Sequence, residues 1–127
     1  MKEFITRINA IRRENPALQR DWSLHFHEVD NPLLLCYSKA TDDLSNVILV
    51  VANVDFRNTQ SGWLDLDLDL LGLDDQHSYQ AHDLLGGGRY LWQGRRNFVQ
   101  LDPREQPVHV LRLRRKVRTE RDFDYYL

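Results

Sequence analysis

The histidines and carboxylates decide first whether this chain can do acid–base or metal chemistry. His82 and Asp83 are adjacent in Ala81-His82-Asp83. Neighbours on a strand point to opposite faces, so the two are not a natural pair, and a polar strand end before a glycine turn is expected instead. His25 and His27 share a strand face at i and i+2, but a metal site needs a third ligand and supporting partners. His77 and His109 reach them only if the fold brings them there. Asp65, Asp67 and Asp69 form an acidic row. Calcium takes oxygen ligands, but side chains at i, i+2 and i+4 spread along a line and do not enclose an ion. A solvated face that discourages edge-to-edge pairing is the expectation. Gly86-Gly87-Gly88 lacks the Lys-Ser/Thr ending of a phosphate loop and the GxGxxG spacing, so it reads as hairpin glycines supplying positive φ. Cys36, the single cysteine, lies in the apolar run Leu33-Leu34-Leu35-Cys36-Tyr37 and reads as a buried, inert thiol. There is no GxSxG elbow, and no cleft is defined for a pair of glycosidic carboxylates. No catalytic residue, cofactor-binding residue or metal ligand is assigned.

Trp63, Tyr90 and Trp92 are the candidates for contact. Exposed aromatic faces stack on the apolar faces of sugar rings, but aromatic residues more often fill cores and domain interfaces. Contact with a neighbouring domain and contact with a carbohydrate are both open for these three.

The elements that position these residues follow from periodicity. Phe4, Ile5, Ile8 and Ile11 recur at helical spacing, with Lys2, Glu3, Arg7, Arg12 and Arg13 on the other faces. Asn15-Pro16 ends this helix, because the residue before proline is pushed out of the α region. From about Trp22 the period becomes two. Strands are expected around Leu24 to His27, over Leu33–Ser38, Val47–Val54, Trp63–Leu70, Ser78–Leu84, Arg89–Trp92, Asn97–Leu101 and Val108–Leu113. The unbroken apolar run from Val47 predicts a strand buried on both faces. In Trp63–Leu70, Leu64, Leu66, Leu68 and Leu70 alternate with the three aspartates. The fold class is therefore all-β: an antiparallel Greek-key sandwich of about eight strands, preceded by one N-terminal α-helix. The organisation expected is a helix and linker over 1–20, the sandwich over 21–114, and a tail over 115–127 with Phe123, Tyr125 and Tyr126 available to dock it.

With 127 residues, the chain can bury one core but is too short for a (β/α)8 barrel, which needs roughly 200 residues or more. A formal net charge of −2 argues against a nucleic-acid partner, and no apolar run approaches membrane-spanning length. One cysteine and no apolar leader after Met1 fit a cytoplasmic setting. The apolar stripe of the helix has no helical partner in the chain. It is expected to pack on the sandwich here and to originate in a preceding domain.

Several stretches resemble a known family. Phe4-Ile5-Thr6-Arg7-Ile8-Asn9-Ala10-Ile11-Arg12-Arg13-Glu14-Asn15-Pro16-Ala17-Leu18-Gln19 resembles the last barrel helix of α-amylase-superfamily enzymes and the segment leaving it. Val50-Val51-Ala52-Asn53-Val54-Asp55 resembles the central strand of their C-terminal domain. Thr59-Gln60-Ser61-Gly62-Trp63, His82-Asp83-Leu84-Leu85-Gly86-Gly87, Tyr90-Leu91-Trp92-Gln93-Gly94 and Asp122-Phe123-Asp124-Tyr125-Tyr126 are similar to the bacterial α-1,4-glucan:maltose-1-phosphate maltosyltransferases. The resemblance implies a multidomain parent that moves maltosyl units from maltose 1-phosphate to an α-glucan. It implies an upstream (β/α)8 catalytic domain as partner, and a non-catalytic structural or glucan-binding role for this chain. The family's catalytic acids lie on the barrel, so none is carried onto a residue here. His82-Asp83 superficially resembles the family's NHD motif, but the strands and glycine turn around it place it in the C-terminal domain.

Overall fold

The computed structural model describes residues 2–19 and 23–115. Trp22 and all of the expected tail except Arg115 lie outside the described residues. An α-helix, α1 (Lys2–Glu14), is followed by a 3-10 turn (Pro16–Gln19) and nine strands. These are β1 (His25–Phe26), β2 (Glu28–Val29), β3 (Leu34–Ala40), β4 (Val47–Asn53), β5 (Gln60–Asp65), β6 (Tyr79–Asp83), β7 (Arg89–Trp92), β8 (Arg96–Leu101) and β9 (Val108–Arg115). A six-stranded sheet runs β1-β3-β4-β9-β6-β7, and a three-stranded sheet runs β2-β5-β8. Every pairing is antiparallel. The chain crosses between sheets so that β9 inserts between β4 and β6, the Greek-key order expected from the sequence.

The central strand β4 is buried on both faces, as its β-branched run predicts. Val47, Leu49 and Val51 turn inward to the main core with Leu64, Tyr79, Val99 and Leu111. Ile48 and Val50 turn outward and pack with Ile11, Ala17 and Val110. Each fully buried aliphatic side chain contributes roughly 1.5–3 kcal/mol, so the two faces of one strand anchor both the sandwich and the helix.

The helix docks through its C-terminal half. Ile11 is buried, whereas Ile5 is 53% exposed, and the side chain of Phe4 lies outside the described residues. After Glu14 the chain is pinned. Asn15 Nδ2 donates to the Ile11 carbonyl at 2.9 Å, and Asn46 Nδ2 donates to Asn15 Oδ1 at 2.9 Å. The Ala17 amide donates to Asn46 Oδ1 at 3.0 Å. Asn15 is 2% exposed, so these bonds satisfy a polar group that would otherwise be costly to bury.

Three expectations need correction. The first strand is two: β1 joins the large sheet and β2 the small one, with His27 between them. The break lets one segment serve both layers.

The strand expected over Trp63–Leu70 occupies Gln60–Asp65 instead. The Leu66 amide is taken by the Arg95 carbonyl at 2.8 Å, and the chain then turns, with Leu71 N–H donating to Leu68 O at 3.1 Å. Leu64, Leu66 and Leu68 are buried, but Leu70 is not; Leu71 and Leu73 take over the core positions. The aspartates therefore form no ladder on one strand. Asp65 pairs with Arg95 at 3.1 Å, and Asp67 Oδ1 accepts the Leu70 amide in the turn.

The glycine run divides its work. Only Gly87 has positive φ, at 83°. Gly86 and Gly88 are needed for space: a Cβ on Gly86 would lie 2.6 Å from Asp83 Oδ2, and one on Gly88 would lie 2.7 Å from the Tyr90 hydroxyl.

Candidate functional site

β7 is an edge strand of the six-stranded sheet, and its inward-facing Tyr90 is left exposed, so this edge overhangs the three-stranded sheet. Tyr90 and Trp92 pair with Ala81 and Tyr79 across β6. Ala81 and Tyr79 belong to the main core, so alternation turns Tyr90 and Trp92 to the inner side of the overhang. There they line a crevice of about 130 Å³ with Phe98, Val99, Gln100, His109 and Leu111. Trp92 is half-buried against the core and meets Tyr79 edge-on, with centroids 6.3 Å apart. Tyr90 is 42% exposed and meets the His109 ring edge-on at 6.1 Å.

His109 is held from behind. Its Nδ1 lies 3.1 Å from Oδ2 of Asp83, a carboxylate whose side chain is 1% exposed. Gln106 Nε2 donates to the same oxygen, and Asp83 Oδ1 accepts the Leu85 amide at 3.1 Å. Burial pushes the Asp83 carboxyl up, but hydrogen bonds from His109, Gln106 and the Gly86 backbone outweigh it and hold the group at about 2. Asp83 stays ionised and orients an imidazole. His82 faces the other side of the sheet, 3.4 Å from an Arg112 guanidinium nitrogen. Burial and the positive charges of Arg89 and Arg112 keep its imidazole below the ordinary range. The chain neighbours His82 and Asp83 are thus unpaired, as strand alternation requires.

Trp63 lies elsewhere, on the outer face of the small sheet. Its backbone amide donates to Asp30 Oδ1 at 2.7 Å. Its ring meets Phe98 edge-on at 5.5 Å, and the Arg96 guanidinium sits 5.3 Å from its centroid. A ring already covered by a cation is a poorer stacking platform than a bare one. The fold therefore brings Tyr90 and Trp92 together and keeps Trp63 apart, with Phe98 against Trp63 and at the rim of the crevice. The sequence does not single out Phe98; its place on the exposed phase comes from the alternation of exposed and buried residues along β8. His109 carried no such signal, because its partner Asp83 is 26 residues away.

Two of the remaining histidines are occupied structurally, and His25 is exposed on β1. His27 Nδ1 accepts the Asp67 amide at 3.3 Å, so its proton is on Nε2, which donates to Ser38 Oγ at 2.8 Å. His77 pairs with Asp74 at 2.9 Å. Among the described residues, no group of three or more His, Cys, Asp or Glu is placed to hold a metal. Cys36 is 1% exposed, and burial pushes its thiol up to about 12, the state of an unreactive cysteine. No described helix is long and apolar enough to cross a membrane.

A second feature covers the outer face of the large sheet. Beside the part under α1, Phe26, Leu33, Leu35 and Val54 are each at least 40% exposed. Strand register makes them neighbours. Phe26 pairs with Tyr37, Leu35 pairs with Ala52, and the Val54 amide donates to the Leu33 carbonyl at 3.0 Å. Further along that face His82, Arg89 and Arg112 form one row.

The family model described as GLGE, C-terminal, matches residues 26–113, most of the chain. The chain belongs to the GLGE C-terminal family. Its sequence is 49% identical over 112 residues to alpha-1,4-glucan:maltose-1-phosphate maltosyltransferase 2 of Streptomyces coelicolor, covering 88% of this chain and 16% of that protein. It is 35% identical over 113 residues to the maltosyltransferase of the same name from Mycobacterium tuberculosis, covering 89% of this chain and 16% of that one. This member of the GLGE C-terminal family thus spans about a sixth of the length of these relatives. Among solved structures, the maltogenic α-amylase AmyB of Thermotoga neapolitana shares the fold. The TM-score is 0.66 at 13% identity, over 88% of this chain and 25% of that one.

Proposed function

We propose that this chain is a non-catalytic C-terminal β-sandwich of an enzyme that moves maltosyl units from maltose 1-phosphate to an α-1,4-glucan. Its role is to support an upstream catalytic barrel in the same polypeptide, with α1 as the end of that barrel. The observation that carries this reading is the outer face of the six-stranded sheet. Ile11 seals part of it, and the exposed row of Phe26, Leu33, Leu35 and Val54 continues the same surface. A contiguous apolar patch beside a helix with an exposed Ile5 suits a domain interface. The guanidinium groups of Arg89 and Arg112, on either side of His82, ask the partner surface for carboxylates. Cys36, buried and free, is in keeping with a cytoplasmic enzyme.

The test uses the full-length parent. Placing a charge in the apolar row, Leu35→Glu with Val54→Glu, uncouples the domains, so that one cooperative unfolding transition becomes two. A single unchanged transition overturns the docking face. In parallel, the isolated chain releases no phosphate from maltose 1-phosphate in the presence of glycogen; turnover by the pure chain overturns the non-catalytic reading.

A further inference from the structure

We infer that the crevice between β7, β8 and β9 is a binding site for one neutral pyranose ring, with Tyr90 and Trp92 as its aromatic face and His109 as the polar anchor. The site lies under the overhang of the large sheet, not on that sheet's outer face, so it is independent of domain docking.

Four observations converge on it. The volume of about 130 Å³ falls below the roughly 300 Å³ of sites for drug-sized ligands, so it suits a single ring and not a chain of them. Tyr90 and Trp92 share its inward face on β7, and the polar side chain on the same side is His109, a hydrogen-bonding group and not part of a charged cluster. A pyranose presents that combination, with a C–H face for the rings and hydroxyls for an imidazole.

The site is also preorganised. Nδ1 of His109 is committed to Asp83, which leaves Nε2, on the other edge of the ring, for a ligand hydroxyl. Tyr90 is seated on Gly88, where no side chain fits without displacing it. A ligand therefore orders little on binding, which favours affinity from a small contact. Trp63 is excluded from the site, because Arg96 sits over its ring.

The experiment is a titration of the isotope-labelled 127-residue chain with maltotriose, followed by amide and indole NMR shifts. Shifts are expected at Tyr90, the Trp92 indole, Phe98 and His109, with a dissociation constant on the order of 1 mM, as suits one small, partly exposed ring contact. Tyr90→Ala and, separately, His109→Ala weaken binding by about tenfold or more, equivalent to 1.4 kcal/mol, while the rest of the spectrum reports an intact fold. Tyr90→Phe retains binding because the ring remains. Three results overturn the proposal: no shifts at tenfold the expected constant, shifts confined to Trp63 and Arg96, or binding unchanged in both alanine variants. None of them bears on the docking test, which reads a different face.

Discussion

Asp83 and His109 lie 3.1 Å apart, Oδ2 to Nδ1, on adjacent strands and 26 residues apart in the chain. The pair joins the floor of the crevice to the glycine turn. It stands at the end of β6 where the chain must reverse, and Asp83 N–H and C=O bond to Gly88 and Gly87 at 2.7 and 2.8 Å. One carboxylate thus closes a turn with its backbone and orients an imidazole with its side chain.

The Asp83 carboxyl is held at about 2, below its ordinary value of 3.8. A folded value below the unfolded one adds stability that is complete above the unfolded value and is lost as pH falls through 3.8 towards 2. That limb is worth about 2 kcal/mol by linkage. Asp83→Asn costs about 2 kcal/mol at neutral pH and flattens the acid limb. Urea unfolding of both proteins between neutral and acid pH measures both effects.

His27 acts in a higher pH window. Burial outweighs the opposing attraction of Asp67 and keeps its imidazole below the ordinary value of 6.5. The unfolded chain then takes up the proton first, so stability is full above about 6.5 and declines as pH falls below it. Protonation also costs the bond from the Asp67 amide, since Nδ1 no longer accepts. His27→Gln should reduce the change in urea midpoint between pH 7.5 and pH 5.5, leaving the part due to His82; an unchanged slope would count against this role.

Gly86 and Gly87 separate two reasons for glycine. Gly87→Ala meets open space and costs about 1 kcal/mol through positive φ alone. Gly86→Ala drives a methyl into Asp83 and Gln106, an overpacking cost of about 1–3 kcal/mol. The His109 ring signals are expected to shift in Gly86→Ala and to stay in place in Gly87→Ala, which NMR distinguishes directly.

Asn15 and Asn46 tie the helix to the β3–β4 turn. Removing either with alanine leaves the other buried or half-buried without its partner, at about 1–3 kcal/mol each. The double variant costs less than the sum, because both single changes break the same bond. Hydrogen exchange of the α1 amides should accelerate in each variant while β4 stays protected.

Sequence periodicity alone carried the all-β class, the helix ending at Asn15-Pro16, and the two-faced burial of Val47–Asn53. These are local matters: an alternation of period two, a proline that forbids the α region before it, and a run too apolar to face water on either side. It also showed that His82 and Asp83 would not pair, because neighbours on a strand diverge. Three features were settled only by tertiary structure. The leucine–aspartate alternation stops being a strand at Asp65, since the Leu66 amide finds the Arg95 carbonyl and the chain turns. Tyr90, Trp92 and His109 converge because β9 inserts beside β6. Trp63, which looks equivalent to Trp92 as a residue type, is set apart on the opposite sheet under Arg96. Pattern reports which face a side chain takes on its own strand. Which strands become neighbours is decided by burial summed over the whole chain, and the partners of Asp83 and Trp63 follow from that choice.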